Sequence, residues 1–376
     1  MSGERRVATF GNPLSSEFRK HYTSRQSGDS FIRQRSRRLQ QMHEESFMVT
    51  RSLARVLLCA AVATPVTVAV ASPATAAGPP PVTYEQSTVL ALGRGERATD
   101  VAVDAAGNTA VLVSSRGTNI VRISADGQRT TTPLSGIAGG AGGIAVDDDG
   151  NTFLASARYS GGSVPSGEVV QITPYGETLT ILSGLRNPCD IAANGSEVAV
   201  LDCGTGNEDG YVVRADLVGG GASQSVHGFV QPRGLALDDA GNILIGEARY
   251  GDGNSTVVKV ARDGTRTEIP LDGIFPHRLA VTDDGLPVVA GVTETAPRVV
   301  RLGDDGSQTV LPFSGLVWPT GVAAAPNGVV TVSYLEGSST DSASRVVRLV
   351  PQDPPTPSPE PTPTPTPTPG FGSSGS

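Results

Sequence analysis

The chain has 376 residues, of which 18% are charged and 5% are aromatic, and it contains 46 glycines and 28 prolines. Such a composition suits short strands joined by tight turns better than long helices. Beyond residue 77 the chain carries 18 Lys and Arg against 32 Asp and Glu, a net charge of −14, which repels phosphate backbones and anionic membranes and excludes nucleic acid as a partner.

Residues 1–47 form a polar, basic segment without hydrophobic periodicity, as in the stretch RQRSRRLQQ. A secretory signal normally begins near the true N-terminus, and the next segment has the features of such a signal. We therefore interpret residues 1–47 as a disordered extension that results from a start site set too far upstream. The alternative is a basic arm that binds an acidic partner.

Residues 48–77 have the layout of a secretory signal peptide. Arg51 and Arg55 precede an apolar run, and an Ala-x-Ala pattern at Ala74 to Ala76 closes the segment. The run is shorter than the ~20 residues of a membrane span, and internal prolines disfavour a buried core helix. We expect cleavage near Ala77, no integral membrane span afterwards, and a protein that is secreted and either extracellular or associated with the cell wall.

Six copies of one motif follow, of the form Pro-x-Gly-[Ile/Leu/Val]-Ala-[Val/Leu]-Asp-x-x-Gly-Asn, with turn glycines 43 to 46 residues apart. Each copy reads as an apolar strand, a turn whose glycine adopts a positive φ, and a second strand. A third strand such as RVVRLV and a fourth strand complete each repeat. Four strands in about 44 residues are the size of one propeller blade.

The sixth copy has no fourth strand of its own. The N-terminal segment STVLALGRGERATD (87–100) is similar to QTVLPFSGLVWPTG (308–321), which contains the fourth strand of the fifth copy. The sequence therefore predicts an all-β protein, a six-bladed β-propeller over residues 82–350 with four-stranded antiparallel blades. An N-terminal strand completes the last blade and closes the ring. The Pro/Thr-rich tail, residues 351–376, is predicted to be a disordered, extended spacer.

Two cysteines, Cys189 and Cys203, remain after signal cleavage. An even number of cysteines in an exported chain favours a disulfide. If Ala193 lies opposite Ala199 across the intervening turn, the two cysteines face each other. The alternative is a pair of buried free thiols.

The repeats resemble those of NHL-repeat propellers and of the related regucalcin/gluconolactonase-like and virginiamycin B lyase-like proteins, over about residues 84–350. The gluconolactonase resemblance implies a divalent metal in the channel, held by Asn and Asp just before the inner-strand glycine. The matching positions here are Thr99, Gly142, Cys189, Arg233, His277 and Thr320. None is a carboxylate or Asn, and calcium and magnesium need oxygen ligands, so we expect no metal and no cofactor.

The loops between second and third strands emerge on the face where the inner strands begin, which we call the first face. Several of these loops are long and differ between blades, as is usual for a binding site on a rigid scaffold. The predicted ligand-binding residues are Asp100, Arg158, Tyr159, Asp190, Arg233, Arg249, Tyr250 and Arg278. Glu294 is also placed on this face. The alternative is a solvated network of ion pairs.

The catalytic candidates are His277, Glu247 and Asp202. The resemblance to the virginiamycin B lyase-like proteins implies a histidine base, and His277 is the histidine placed near the channel. The alternative is a structural histidine.

Two functions are consistent with these features. The first is a secreted, monomeric, non-catalytic propeller that binds a small molecule, glycan or protein through the first face. The second is an extracellular lyase or lactone hydrolase with His277 as the base and Glu247 or Asp202 nearby. A third possibility, a purely structural wall protein, rests on the tail alone.

Overall fold

The structure is a computed structural model that describes residues 82–134, 141–158, 166–195, 197–204, 210–217, 224–249, 255–337 and 342–352. These residues form 24 β-strands and one 3₁₀ turn. The extension and the signal peptide predicted from the sequence lie outside the described residues, and so does the predicted tail from residue 353 on. Pro351 and Gln352, the first two residues of that predicted tail, form the end of a β-strand.

The strands form six four-stranded antiparallel sheets, so the predicted six-bladed propeller is confirmed. Blades 1 to 5 are consecutive sets of four strands that begin at β2, and blade 6 combines β22–β24 with β1. The strands are β1 (Thr83–Ala91), β2 (Arg97–Val103), β3 (Thr109–Ser114), β4 (Thr118–Ile123), β5 (Arg129–Pro133), β6 (Ala141–Val146), β7 (Thr152–Arg158), β8 (Ser166–Ile172), β9 (Thr178–Leu185), β10 (Pro188–Asn194), β11 (Glu197–Asp202), β12 (Gly210–Asp216), β13 (Gln224–Phe229), β14 (Pro232–Leu237), β15 (Ile243–Glu247), β16 (Thr256–Val260), β17 (Arg266–Pro270), β18 (Phe275–Val281), β19 (Pro287–Val292), β20 (Pro297–Leu302), β21 (Gln308–Val310), β22 (Trp318–Ala324), β23 (Val330–Leu335) and β24 (Ser344–Gln352).

In blades 1, 2 and 4 the turn between the first two strands is formed by an Asp-x-x-Gly-Asn motif, and in the other three blades by a shorter or altered version that keeps the glycine. In blade 1, Gly107 has a φ of +82°, a conformation that residues with a Cβ rarely adopt. The Asp104 carboxylate accepts hydrogen bonds from the backbone N–H and the side-chain amide of Asn108, both at 2.8 Å. The local sequence alone therefore specifies where each inner hairpin turns.

The core lies between neighbouring blades. Between blades 1 and 2, for example, Leu112, Ile120 and Leu154 are fully buried in one cluster. The second strand of a blade is covered on both sides, whereas an outer strand such as β5 (Arg129–Pro133) is mostly exposed. Each blade thus depends on its two neighbours for burial, which makes the closed ring the folding unit.

The ring closes in blade 6, where β1 pairs with β24 from Thr83 opposite Gln352 to Ala91 opposite Arg345. Leu90 and Leu92 are buried in a cluster shared with blade 1. The predicted closure by an N-terminal strand is therefore confirmed. Because β1 is the first strand of the propeller and β24 is the last, their pairing joins the two ends of the propeller by hydrogen bonds.

Basic residues of the third strands tie blades to their successors. The guanidinium of Arg122 donates to Thr152 Oγ1 of blade 2 at 2.7 Å, and Arg214 donates to the Gly241 carbonyl of blade 4 at 2.8 Å. Arg348 donates to Thr109 Oγ1 of blade 1 at 2.9 Å. The last of these contacts crosses the seam and supports ring closure.

The predicted disulfide joins Cys189 and Cys203, with Cα atoms 5.9 Å apart. The register expected from the sequence is wrong by one residue, since Ala193 pairs with Val198. A β-bulge between Pro188 and Asp190 supplies the extra residue, and this brings Cys189 beside Cys203 despite the shifted register.

Reduction of this disulfide is expected to lower the free energy of unfolding by about 3 kcal/mol, the chain-entropy value for a loop of about 15 residues. Urea unfolding of the Cys189→Ser/Cys203→Ser variant against the oxidised protein measures this loss. The control is the intact mass of the protein with and without reductant. Reduction of the bridge to two thiols adds two hydrogen atoms and raises that mass accordingly. Two thiols that alkylate without reductant would show that the bridge is absent.

Candidate functional site

A β-bulge occurs at the same position in all six inner strands, near the first face. The register shifts between Ala98 and Asp100 in blade 1, and at the equivalent place in each other blade. A bulge leaves one residue unpaired and re-aims its side chain. The six bulged residues surround the mouth of the central channel and are Thr99, Gly142, Cys189, Arg233, His277 and Thr320.

The next residue along each inner strand alternates between charged and glycine around the ring. Blades 1, 3 and 5 contribute Asp100, Asp190 and Arg278, and the blades between them contribute Gly143, Gly234 and Gly321. The glycines are needed for space, because a Cβ on Gly143 would lie 2.8 Å from Asp190 Oδ1 and one on Gly321 would lie 2.6 Å from Asp100 Oδ1.

The two aspartates are buried and each joins two blades. Asp100 accepts hydrogen bonds from the N–H of Val101 at 2.9 Å and of Ile144, in blade 2, at 3.0 Å. Asp190 accepts from Ile191 and Leu235 in the same way, both at 2.9 Å. Their carboxylates therefore hold the inner strands in register.

Burial also makes both carboxylates hard to ionise. It raises the pKa of Asp100 to about 7, with Arg278 opposing the rise and Asp190 adding to it. Burial likewise raises the pKa of Asp190, against the lowering effect of Arg278. Near neutral pH the two carboxyls therefore carry less than two negative charges beside the single positive charge of Arg278.

Arg278 spans the channel. From blade 5 its guanidinium donates to the Gly142 carbonyl of blade 2 at 3.0 Å and to the Arg233 carbonyl of blade 4 at 3.3 Å, and its Nε lies 3.7 Å from Asp100 Oδ1. Burial lowers the pKa of Arg278, but the negative charges of Asp190 and Asp100 raise it by more, so the net pKa is raised. This side chain therefore stays cationic. One fifth of the side chain is accessible.

Above Arg278 lies a cavity of about 490 Å³ that opens on the first face. Arg278 forms part of its wall, and the hydrogen bonds of Arg278 across the channel place it at the base. We call this space the first-face cavity. Its lining residues are Arg97, Ala98, Thr99, Arg233, His277, Arg278, Trp318, Pro319, Thr320 and Leu335.

One wall of the first-face cavity is aromatic. The rings of His277 and Trp318 have centroids 4.9 Å apart and are tilted by 47°, and Trp318 is 47% exposed. His277 Nδ1 lies 3.4 Å from the Pro319 carbonyl oxygen. Burial lowers the pKa of His277, against the effect of that carbonyl, and the charges of Arg278 and Arg233 lower it further, so the ring is neutral at pH 7.

The structure brings together five of the residues predicted from the sequence. Arg233, His277 and Arg278 line the cavity, and Asp100 and Asp190 are held beside Arg278. Arg249 instead pairs with Glu247 at 2.8 Å, and Glu294 is exposed beyond β19. Arg158 ends β7, but its side chain is not described, and Tyr159 and Tyr250 lie outside the described residues.

Two of the catalytic candidates, Asp202 and Glu247, are buried, and their carboxylates accept hydrogen bonds from backbone N–H groups. Asp202 accepts hydrogen bonds from the N–H of Gly204 at 3.0 Å and the Tyr211 hydroxyl at 2.9 Å, besides two further backbone N–H groups. Glu247 accepts from the Val230 N–H at 2.9 Å. Neither residue belongs to the described lining of the cavity.

Sequence reasoning missed Trp318 and Arg97. Trp318 is the only tryptophan of the chain and directly precedes Pro319 of the sixth repeat, where a large exposed side chain is unusual. That position was the available signal. Arg97 gave no such signal, because its place at the cavity depends on how blade 1 meets blade 6.

The site does not fit a divalent metal. The six bulged residues supply no carboxylate, and the oxygens of Asp100 and Asp190 already accept backbone hydrogen bonds beside the Arg278 cation. Across the described residues no three His, Cys, Asp or Glu are grouped to hold a metal ion. In the same part of the chain no helix has the length and apolarity to span a membrane.

Several solved structures share this fold at low identity. A gluconolactonase from Xanthomonas campestris aligns with 72% of this chain and 90% of its own, at 14% identity and a TM-score of 0.51. A luciferin-regenerating enzyme aligns with 72% and 95%, at 12% identity and a TM-score of 0.51. A virginiamycin B lyase from Staphylococcus aureus aligns with 71% and 99%, at 13% identity and a TM-score of 0.49. No protein-family model and no curated protein matches the chain, so the likeness is one of fold.

Proposed function

We propose that this protein is a secreted, non-catalytic β-propeller that binds a small molecule or a terminal glycan residue in the first-face cavity. The observation that carries the proposal is the cavity itself, a concave space between Trp318, His277 and Arg233 with Arg278 across its base. Its volume of about 490 Å³ is within the range of small-molecule sites. A flat protein partner would not fill it.

The composition of the wall supports binding. The half-exposed Trp318 offers a large, rigid contact area to a ligand in the cavity. The guanidinium of the neighbouring Arg233 provides a polar group that can orient that ligand. The two carboxylates predicted to assist catalysis, Asp202 and Glu247, are outside the described lining of the cavity and accept hydrogen bonds from backbone N–H groups.

Trp318 provides the test. Because it is the only tryptophan, the emission of the full chain excited at a wavelength that tyrosine does not absorb reports on this wall alone. We expect a ligand from a panel of sugars, lactones and cell-wall fragments to shift the Trp318 emission, and calorimetry on the same ligand to give one site per chain.

The Trp318→Ala variant is expected to weaken binding at least tenfold by calorimetry, since it removes the aromatic wall. Tyr175→Ala is the matched control, because Tyr175 is 93% exposed on the turn before β9. Binding that is unchanged in Trp318→Ala would place the ligand elsewhere and contradict the proposal.

A second candidate function is an extracellular lyase or lactone hydrolase with His277 as general base. His277 lines the cavity, and burial keeps its ring neutral at pH 7 and therefore able to accept a proton. The solved structures named above include a gluconolactonase, an enzyme that acts on a lactone by name. If the bound ligand is consumed, and His277→Gln abolishes its consumption but not its binding, the enzyme is the correct function; recovery of the ligand intact supports the binding protein.

Secretion is the other part of the proposal. The signal-like segment 48–77 motivates it, and the Cys189–Cys203 disulfide is compatible with an oxidising compartment. Expression of the full chain should release a protein that begins near Ala77 or Gly78, as measured by N-terminal sequencing of the culture supernatant and wall fractions. Residues 1–47 retained on the exported chain would contradict this.

A further inference from the structure

The charge of the first-face cavity differs from that of the rest of the protein. Beyond residue 77 the chain has a net charge of −14, yet the described lining of the cavity holds three arginines and a histidine and no Asp or Glu. Acidic side chains thus outnumber basic ones over residues 78–376, while the described lining of this concave surface is basic. Such a reversal selects for anions, because a concave surface of one sign focuses the field.

The cationic groups of the cavity are not equivalent. The charge of Arg278 is met by Asp100 and Asp190 beside it, and this side chain is already hydrogen-bonded across the channel. Arg233 is exposed, and no described carboxylate lies within ion-pair distance of its guanidinium. Within the described residues, the positive charge of Arg233 is therefore not met by a carboxylate.

The remaining walls are apolar or neutral. Trp318, Pro319 and Leu335 form one side, and the tilted His277 ring continues it. A ligand that satisfies both halves of the cavity needs an anionic group for Arg233 and a flat or apolar body for the tryptophan. The guanidinium fork matches the two oxygens of a carboxylate in plane, and one unmatched charge suits a monoanion better than a phosphate dianion.

We infer that the first-face cavity binds a small carboxylate, held by Arg233, whose ring or apolar body lies against Trp318. This inference rests on the proposed binding function and gives it a ligand class. It names a specificity residue that neither the fold nor its likeness to other propellers assigns.

Calorimetry on the full propeller tests the inference with matched probes. Glucuronate and benzoate are each compared with the uncharged amide of the same body, glucuronamide and benzamide. We expect each carboxylate to bind at least tenfold more tightly than its amide. We also expect Arg233→Met to remove this preference, because it lowers the affinity for each carboxylate more than the affinity for its amide. Arg129→Met, on the exposed strand β5, is the matched control and should keep the preference.

The possible outcomes separate the two proposals. Amides that bind as tightly as carboxylates, with a Trp318 emission change, would overturn the carboxylate inference and leave the binding function in place. Inorganic phosphate that binds more tightly than either carboxylate would also overturn it. A preference for carboxylates that survives in Arg233→Met would remove Arg233 from its role. If no molecule from this set or from the panel above alters Trp318 emission or gives heat, both proposals fail.

Discussion

Deletion of residues 83–92 is expected to unfold the propeller or to lower its stability by an amount comparable with the whole free energy of folding. The deletion removes β1, which is the outer strand of blade 6, together with the buried Leu90 and Leu92. Loss of two buried leucines alone costs about 4–10 kcal/mol, against a total of ~5–15 kcal/mol for a typical domain. It also exposes β24 as an unpaired edge.

The matched control is deletion of residues 353–376, which begins just after β24 ends at Gln352. We expect its melting temperature to equal that of the full propeller. A milder pair of variants separates burial from strand loss. Leu90→Ala should cost about 2–5 kcal/mol in urea unfolding, whereas Val310→Ala, on the exposed strand β21, should cost little because Val310 is 53% exposed. Equal melting temperatures for the two deletions would contradict closure by β1.

Arg278→Met is the second change with a large expected effect. It leaves Asp100 and Asp190 as buried carboxyls without their cation and removes two hydrogen bonds across the channel. Breaking a buried ion pair in this way costs about 3–5 kcal/mol. Because one fifth of Arg278 is accessible, we expect about 3 kcal/mol by urea unfolding at about pH 8.

This loss should depend on pH. The pKa of Asp100 in the folded protein is about 7, above the ~3.9 of an unfolded chain, so the folded state holds the proton more strongly and stability falls as pH rises from about 4 to 7. Without Arg278 both carboxyls become still harder to ionise. The fall therefore extends to higher pH, and the deficit of Arg278→Met relative to wild type should be smaller at about pH 5 than at about pH 8.

The control for this experiment is Arg129→Met, an arginine on the exposed strand β5 where the same substitution should change stability by less than about 0.5 kcal/mol at both pH values. An Arg278→Met deficit that is the same at both pH values would mean that Arg278 acts through packing and not through the two carboxyls.

The amino-acid sequence by itself determined the architecture. Turn glycines such as Gly107 and Gly150 recur at blade spacing and must adopt a positive φ, so each inner hairpin is specified by residues adjacent in the chain. The missing strand of the sixth repeat and its counterpart near the N-terminus predicted ring closure for a related reason. A four-stranded repeat that lacks one strand exposes an unpaired sheet edge. The unmatched N-terminal segment supplies the missing strand and covers that edge.

Only the tertiary structure decided which of the predicted residues meet at the site and which other residues join them. The β-bulge at Cys189 was not predicted, because the alternation of side chains does not reveal an inserted residue in one strand. The register therefore differs by one residue from the expected one, yet Cys189 and Cys203 still form the disulfide. The alternation of Asp100, Asp190 and Arg278 with glycines, and the meeting of Trp318 with His277, join residues from different blades. Such contacts depend on how the blades are arranged around the channel. The repeat motif is similar in every blade and therefore does not specify that arrangement.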